Sequence, residues 1–167
     1  MPDLSTEFRP GSAVHVHVHL AVAGSFPLRA CDLLFADDRL HVVEYAYLTP
    51  LFGLARGRLP EAGERAREQY RKGGPTGLFE LAERTRTVDY EAIERVRTYD
   101  SRLARPKLAI DVRDGPPYAY RIHAPVEVEK LTAALESLGT RRGFAVDARS
   151  GVGYSPTNSI RRFLADR

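Results

Sequence analysis

One cysteine, one methionine and no tryptophan occur among the 167 residues of this chain. A lone Cys31, set mid-strand, excludes an intrachain disulfide and a cysteine-based zinc centre, so burial of apolar surface has to hold the fold. Long apolar runs are missing as well. None approaches the ~18 residues that a membrane-spanning helix needs, and Met1 to Pro10 carries Asp3, Glu7 and Arg9 where a signal peptide would be apolar. The expectation is a cytoplasmic protein, at most peripheral to a membrane. Catalytic signatures are equally scarce: there is no Gly-x-Ser-x-Gly elbow, no His-Glu-x-x-His and no dinucleotide fingerprint. Lys72-Gly-Gly-Pro-Thr-Gly77 lacks the Gly-Lys-Ser/Thr ending of a phosphate loop and reads as a turn between helices. These gaps remove hydrolase and nicotinamide readings, and the expectation is a chain that is not an enzyme.

What remains is an ordinary globular composition, 43% hydrophobic and 28% charged, in a length that suits one compact domain with or without a tail. The 25 basic and 22 acidic residues leave a net charge of +3, and the excess is local. Between Thr140 and Arg167 stand Arg141, Arg142, Arg149, Arg161, Arg162 and Arg167, against Asp147 and Asp166 only. A near-neutral body with a basic C-terminal extension, residues 140–167, points to docking on RNA, anionic lipid head groups or an acidic protein. Apart from Lys72, Lys107 and Lys130 the basic residues are arginines, the side chain suited to bidentate anion contacts.

From Ser12 to Val22 the chain alternates, with Val14, Val16, Val18, Leu20 and Val22 on one face and His15, His17, His19 and Ala21 on the other. That is a strand. Leu28 to Ala36 is apolar on both faces, Asp37-Asp38 turns, and Leu40 to Leu48 returns, so a three-strand meander is expected. Thr49-Pro50 ends it. Residues 49–87 then read as a helical insertion, with helices over Glu61–Lys72 and from Leu78 to about Arg86, preceded by the apolar Leu51, Phe52 and Leu54. A strand over Glu94–Tyr99 and a hairpin, Lys107–Arg113 returning as Tyr118–His123, follow. From Pro125 the spacing of Val128, Leu131, Leu135 and Leu138 predicts an amphipathic helix stopped by Gly139. Gly143–Ala148 is a short further strand, and Ser159–Ala165 a last helix.

Such a pattern predicts a mainly β, α+β fold: a small antiparallel barrel or sandwich of six or seven strands, capped by a C-terminal amphipathic helix and carrying a helical insertion. Residues 1–139 form its body. The segment Asp32-Leu-Leu-Phe-Ala-Asp-Asp-Arg-Leu-His-Val-Val43, the later Val88-Asp-Tyr-Glu-Ala-Ile-Glu-Arg-Val96 and the final helix resemble the prokaryotic pleckstrin-homology-like and GRAM-type domains. The resemblance spans roughly residues 12 to 138. It implies a binding module for lipid head groups, peptides or neighbouring domains, and supplies no catalytic residues.

Two constellations carry the chemistry. Arg95, Arg97 and Tyr99 on one strand face, with Arg113 and Arg121 on the next hairpin, build a basic surface interleaved with aromatics, to which Arg141, Arg142, Arg161 and Arg162 add. This is the expected docking site for an anionic or protein partner, unless Glu91, Glu94 and Asp111 pair with the arginines across strands. The second is His15, His17 and His19, whose imidazoles suit Zn, Ni or Cu and would make the chain a metal-binding protein or a metal-dependent enzyme. At about 3.3 Å per residue the outer two are ~13 Å apart, so at most two neighbours can share an ion. Remaining ligands would come from His41, His123, Asp32 or Glu44. Without them the histidines simply face solvent or the inserted helices. A third possibility is a structural subunit assembling through residues 49–87.

Overall fold

The computed structural model describes residues 8–9, 11–23, 28–48 and 55–151, with the backbone alone for 55–57. β1 (Val14–Ala23), β2 (Leu28–Ala36) and β3 (Arg39–Leu48) form the expected meander, and α1 (Ala55–Leu81) follows. Then come β4 (Arg84–Asp89), β5 (Ile93–Asp100), β6 (Lys107–Val112) and β7 (Tyr118–Ile122), and finally α2 (Val128–Arg142) and β8 (Ala145–Ser150). All eight strands lie in one sheet in the order β4-β3-β2-β1-β7-β6-β5-β8. Neighbours are antiparallel except β8, which runs parallel to β5. Among the described residues no helix is long and apolar enough to cross a membrane.

The expected barrel is therefore corrected to an open sheet with β4 and β8 as its edges. Its curl is nonetheless strong, since Arg86 on β4 sits 5.4 Å over the Tyr118 ring of β7. The inserted segment also ends earlier than its composition implied: residues 84–87, read as helix and insertion, belong to strand β4. Within α1, Gly74 adopts φ 59° and ψ −148°, a conformation closed to L side chains, and kinks the helix just before Pro75. Gly139 is not the stop of α2. The helix runs on to Arg142 and closes on Gly143 in the left-handed conformation, its N–H returning to the Gly139 carbonyl, while Gly139 lets Phe144 pack against the helix. Leu51, Phe52, Leu54 and the helix expected over 159–165 lie outside the described residues.

Each face of the sheet is covered by one helix. Leu131, Leu135 and Leu138 of α2 meet Val16, Val18, Cys31, Leu33, Phe35, Leu40, Ile93, Val96 and Ile110 in the larger core. At roughly 2 kcal/mol per fully buried aliphatic side chain, this is the main source of stability. Cys31 is wholly buried there, and burial, with the nearby Glu44 and Asp32 charges, pushes its thiol well up. The opposite core is smaller: Ala62, Ala66 and Leu78 of α1 against Ala30, Leu34, Val43 and Tyr45. α1 lies chiefly against β3, β1 and β2. Among the described residues neither helix packs on the outer face of β7, β6, β5 and β8, where Tyr99 and Ala109 are nonetheless buried.

Candidate functional site

The alternation expected along β1 is interrupted. Val18 pairs with Leu33 and Ala21 with Cys31, so His19 and Leu20 together stand opposite one residue, Asp32. This is a β-bulge, the kind of irregularity that re-aims side chains. Leu20 takes φ 50°, a left-handed conformation that costs an L residue on the order of 1–2 kcal/mol. As a result Leu20 packs on the α1 side with Val14, and Ala21 and Ala23 take the α2 side in place of Leu20 and Val22. His17 and His19 share the α1 side with Asp32.

Asp32 is fully buried and every lone pair is used. Its Oδ1 accepts from the Leu20 N–H at 2.8 Å and the Tyr45 hydroxyl at 2.9 Å. Oδ2 accepts from His17 Nε2 at 2.6 Å and His19 Nδ1 at 2.9 Å. Burial works to raise the Asp32 carboxyl, but the hydrogen bonds and charges of the two histidines outweigh it and hold the group well below the usual carboxylate range. Burial and the Asp32 charge push the Tyr45 hydroxyl far up, so it stays a donor. Tyr70 of α1 lies over His17 with ring centroids 4.4 Å apart. His19 Nε2 is buried and has no hydrogen-bond partner among the described residues.

His19 also borders a cavity of about 460 Å³ between α1 and the end of β1, lined by Leu20, Leu59, Pro60, Gly63, Glu64, Arg67, Arg105, His123, Ala124 and Pro125. The helix comes close here because residue 63 is glycine: a Cβ there would lie 2.7 Å from Leu20 Cδ2. Arg105 donates toward the His123 carbonyl at 3.4 Å, and the His123 N–H is tied to the Leu20 carbonyl. Burial, then the charges of Arg105 and Arg121, push the His123 imidazole down to about 4. His123 is neutral at pH 7 in a field that is positive.

Of the histidines expected to act together, the bulge brings together His17 and His19. His15 is set apart, on Asp37 at 2.6 Å. His41 lies buried beside Asp38, its imidazole pushed down by burial. Glu44 faces the other side of the sheet, 2.7 Å from Arg86 and 3.7 Å from Arg29. Asp32 is thus the neighbouring-strand carboxylate that joins the pair, and His123 stands across the cavity.

The arginines divide into two groups. Arg95, Arg97 and Arg121 share the outer face with Lys107 and Arg149, but Arg97 is bound to Asp111 and Arg95 lies 3.5 Å from Asp147. Arg113 and Arg142 gather instead around the 90–92 turn, Arg113 on the Glu91 carbonyl and Arg142 over the Tyr90 ring and 3.7 Å from Asp37. Arg141 bonds Ser137. Arg161 and Arg162 lie outside the described residues. Arg67, Arg105, Tyr45 and Tyr70 were not legible as site residues, since α1 and the 101–106 loop reach the cavity only through the tertiary fold.

No protein-family model matches the sequence, and no curated protein sequence does. Among solved structures the chain is similar to the hSac2 domain from human phosphoinositide phosphatase Sac2, at 9% identity over 89% of this chain and 84% of that one, with a TM-score of 0.51. The likeness is one of fold. The expectation that the chain is not an enzyme is corrected to this extent: a fold of this kind occurs within a phosphatase, so the fold gives no ground for excluding catalysis.

Proposed function

We propose that this chain binds a phosphorylated ligand, either a soluble phosphate ester or a phospholipid head group, in the cavity between α1 and the end of β1. The carrying observation is that Arg67, Arg105, His19 and His123 border one cavity of about 460 Å³. Guanidinium groups bind phosphate oxygens through charge-assisted, bidentate hydrogen bonds. Among the described residues Arg67 is held by Glu64, in an exposed pair at 3.0 Å, an interaction weak enough for a ligand to displace. Leu20, Leu59, Pro60 and Pro125 give the same cavity an apolar wall for the rest of the molecule. Beside it, the outer face carries Arg121, Lys107, Arg97, Arg95 and Arg149 against Asp111 and Asp147, an excess of the sign that attracts anionic lipid.

The pleckstrin-homology-like and GRAM-type resemblance supports the same reading, since lipid head groups are among the ligands such domains bind, along with peptides and neighbouring domains, and so does likeness to a domain of a phosphoinositide phosphatase. The test uses vesicles of phosphatidylcholine with and without a phosphatidylinositol phosphate, and in parallel a soluble inositol phosphate followed by calorimetry. Retention on the phosphorylated vesicles alone assigns a membrane head group; binding of the soluble ester with no vesicle preference assigns a free ligand. Arg105→Gln is expected to weaken either by about tenfold, the loss of one charged hydrogen bond. Absence of binding in both arms, or binding that Arg67→Gln and Arg105→Gln leave untouched, rejects the proposal.

A further inference from the structure

We infer that His17, His19 and Asp32 form a binding site for one divalent first-row transition ion, with an open coordination position toward α1. His17 Nε2 and His19 Nδ1 approach the same carboxylate oxygen, Asp32 Oδ2, at 2.6 and 2.9 Å. The three ligand atoms lie within 4.8 Å of one another. A tetrahedral ion with bonds of about 2.0–2.2 Å keeps its ligand atoms about 3.3–3.5 Å apart, so replacing the two shared protons by one ion asks the rings to withdraw by roughly half an ångström at His19 and somewhat under one ångström at His17. Both rings have that freedom: they are partly exposed, while Asp32 is wholly buried. Two imidazoles and one carboxylate suit zinc and its neighbours rather than calcium or magnesium.

Two further features separate this cluster from an ordinary buried network. The Asp32 oxygen that would not face the ion is already held by the Leu20 N–H and the Tyr45 hydroxyl, the pattern by which an outer shell orients a ligating carboxylate. The bulge that supplies the first of these bonds keeps Leu20 in a strained backbone conformation, and strain of this kind persists where surrounding structure demands it. Among the described residues three protein ligands converge, which leaves a position for water or a bound anion, as in catalytic rather than structural zinc sites. His19 borders the cavity as well, and an ion there stands at its wall. His15, on Asp37, contributes nothing.

The test is a titration of chelator-treated full-length protein with Zn²⁺ alone, followed by calorimetry, and with Co²⁺, followed by visible absorption. Expected are one equivalent of Zn²⁺ and the d–d bands of a low-coordinate N/O site. His17→Gln and His19→Gln keep an N–H for Asp32 and so preserve the fold, which circular dichroism checks. Each should lower affinity by at least about tenfold, on the scale of metal-site substitutions, and His15→Gln should not change it. An unmetallated wild-type protein at millimolar Zn²⁺, or uptake undiminished in the folded His17→Gln/His19→Gln variant, overturns the inference. Phosphate-ester binding measured with chelator present is independent of this result.

Discussion

The face of the sheet under α2 and the face under α1 differ in what they bury. Beneath α2, leucines meet valine, leucine, isoleucine and phenylalanine, the contact between helix and sheet is polar at the paired hydroxyls of Thr98 and Thr132, 2.7 Å apart, and the buried Glu44 carboxylate on that side of the sheet is met by the guanidiniums of Arg86 and Arg29. Beneath α1, alanines do much of the covering, and a buried carboxylate with two histidines and two tyrosines occupies ground that apolar side chains could fill. A fold selected for stability alone gains nothing from that exchange, because a buried charge costs several kcal/mol of solvation that its partners must offset. The α2 face therefore holds the domain together, and the α1 face holds its chemistry.

Substitutions that probe each face test this division. Leu135→Ala, at a fully buried position, should cost about 2–5 kcal/mol in urea unfolding. Asp32→Asn keeps the shape of the side chain but turns a donor toward donors, and should cost about 1–3 kcal/mol. A loss at Asp32 equal to or above that at Leu135 would break the comparison; a variant more stable than the wild type would sharpen it, since the carboxylate would then be retained against stability. Effects no larger than that at Asp32 are expected at the α1 kink. Gly74→Ala should lose about 1–3 kcal/mol because its backbone conformation excludes a Cβ. Its neighbour Gly73, with open space around it, should gain up to about 1 kcal/mol on substitution by Ala. Thermal melts of the pair give opposite signs if the kink is built as described.

The smallest expected effect is a titration. The His123 imidazole, pushed down to about 4 by burial and by Arg105 and Arg121, lies below its unfolded value of about 6.5. Its contribution to stability is therefore complete above about pH 6.5 and is lost as pH falls from there toward 4. Proton NMR of the ring and urea midpoints at pH 7 and 4.5, compared with His123→Asn, check both parts. An imidazole titrating near 6.5 would mean that the ring is neither buried nor faced by the two arginines. A bound phosphate ester should move the value up.

Much of the α2 half was legible and much of the α1 half was not, for physical reasons. The meander, the β6–β7 hairpin and α2 announce themselves through apolar periodicity that burial demands. Strand β4, Arg-Thr-Arg-Thr-Val-Asp, hides because it is an edge, and edge strands carry charge that masks the alternation. Whether the sheet closes or stays open depends on that strand, so barrel and open sheet were indistinguishable. The bulge was equally invisible: Leu20 fits the apolar alternation of β1 and leaves it only because Asp32 takes its N–H. What could be read was the anomaly itself, an aspartate inside the apolar run Ala30 to Ala36. Arg67 and Arg105 carry no such mark, because solvated arginines are common and only the fold brings these two to one cavity.

Cys31 turns the larger core into its own reporter. It is the sole thiol of the chain, has no exposed surface, and is held in its protonated, unreactive form. A thiol reagent can reach it only when β2 parts from its neighbours, so the rate of labelling counts those openings directly. With no second cysteine to confuse the signal, the native protein needs no engineered probe for the frequency with which its sheet breathes.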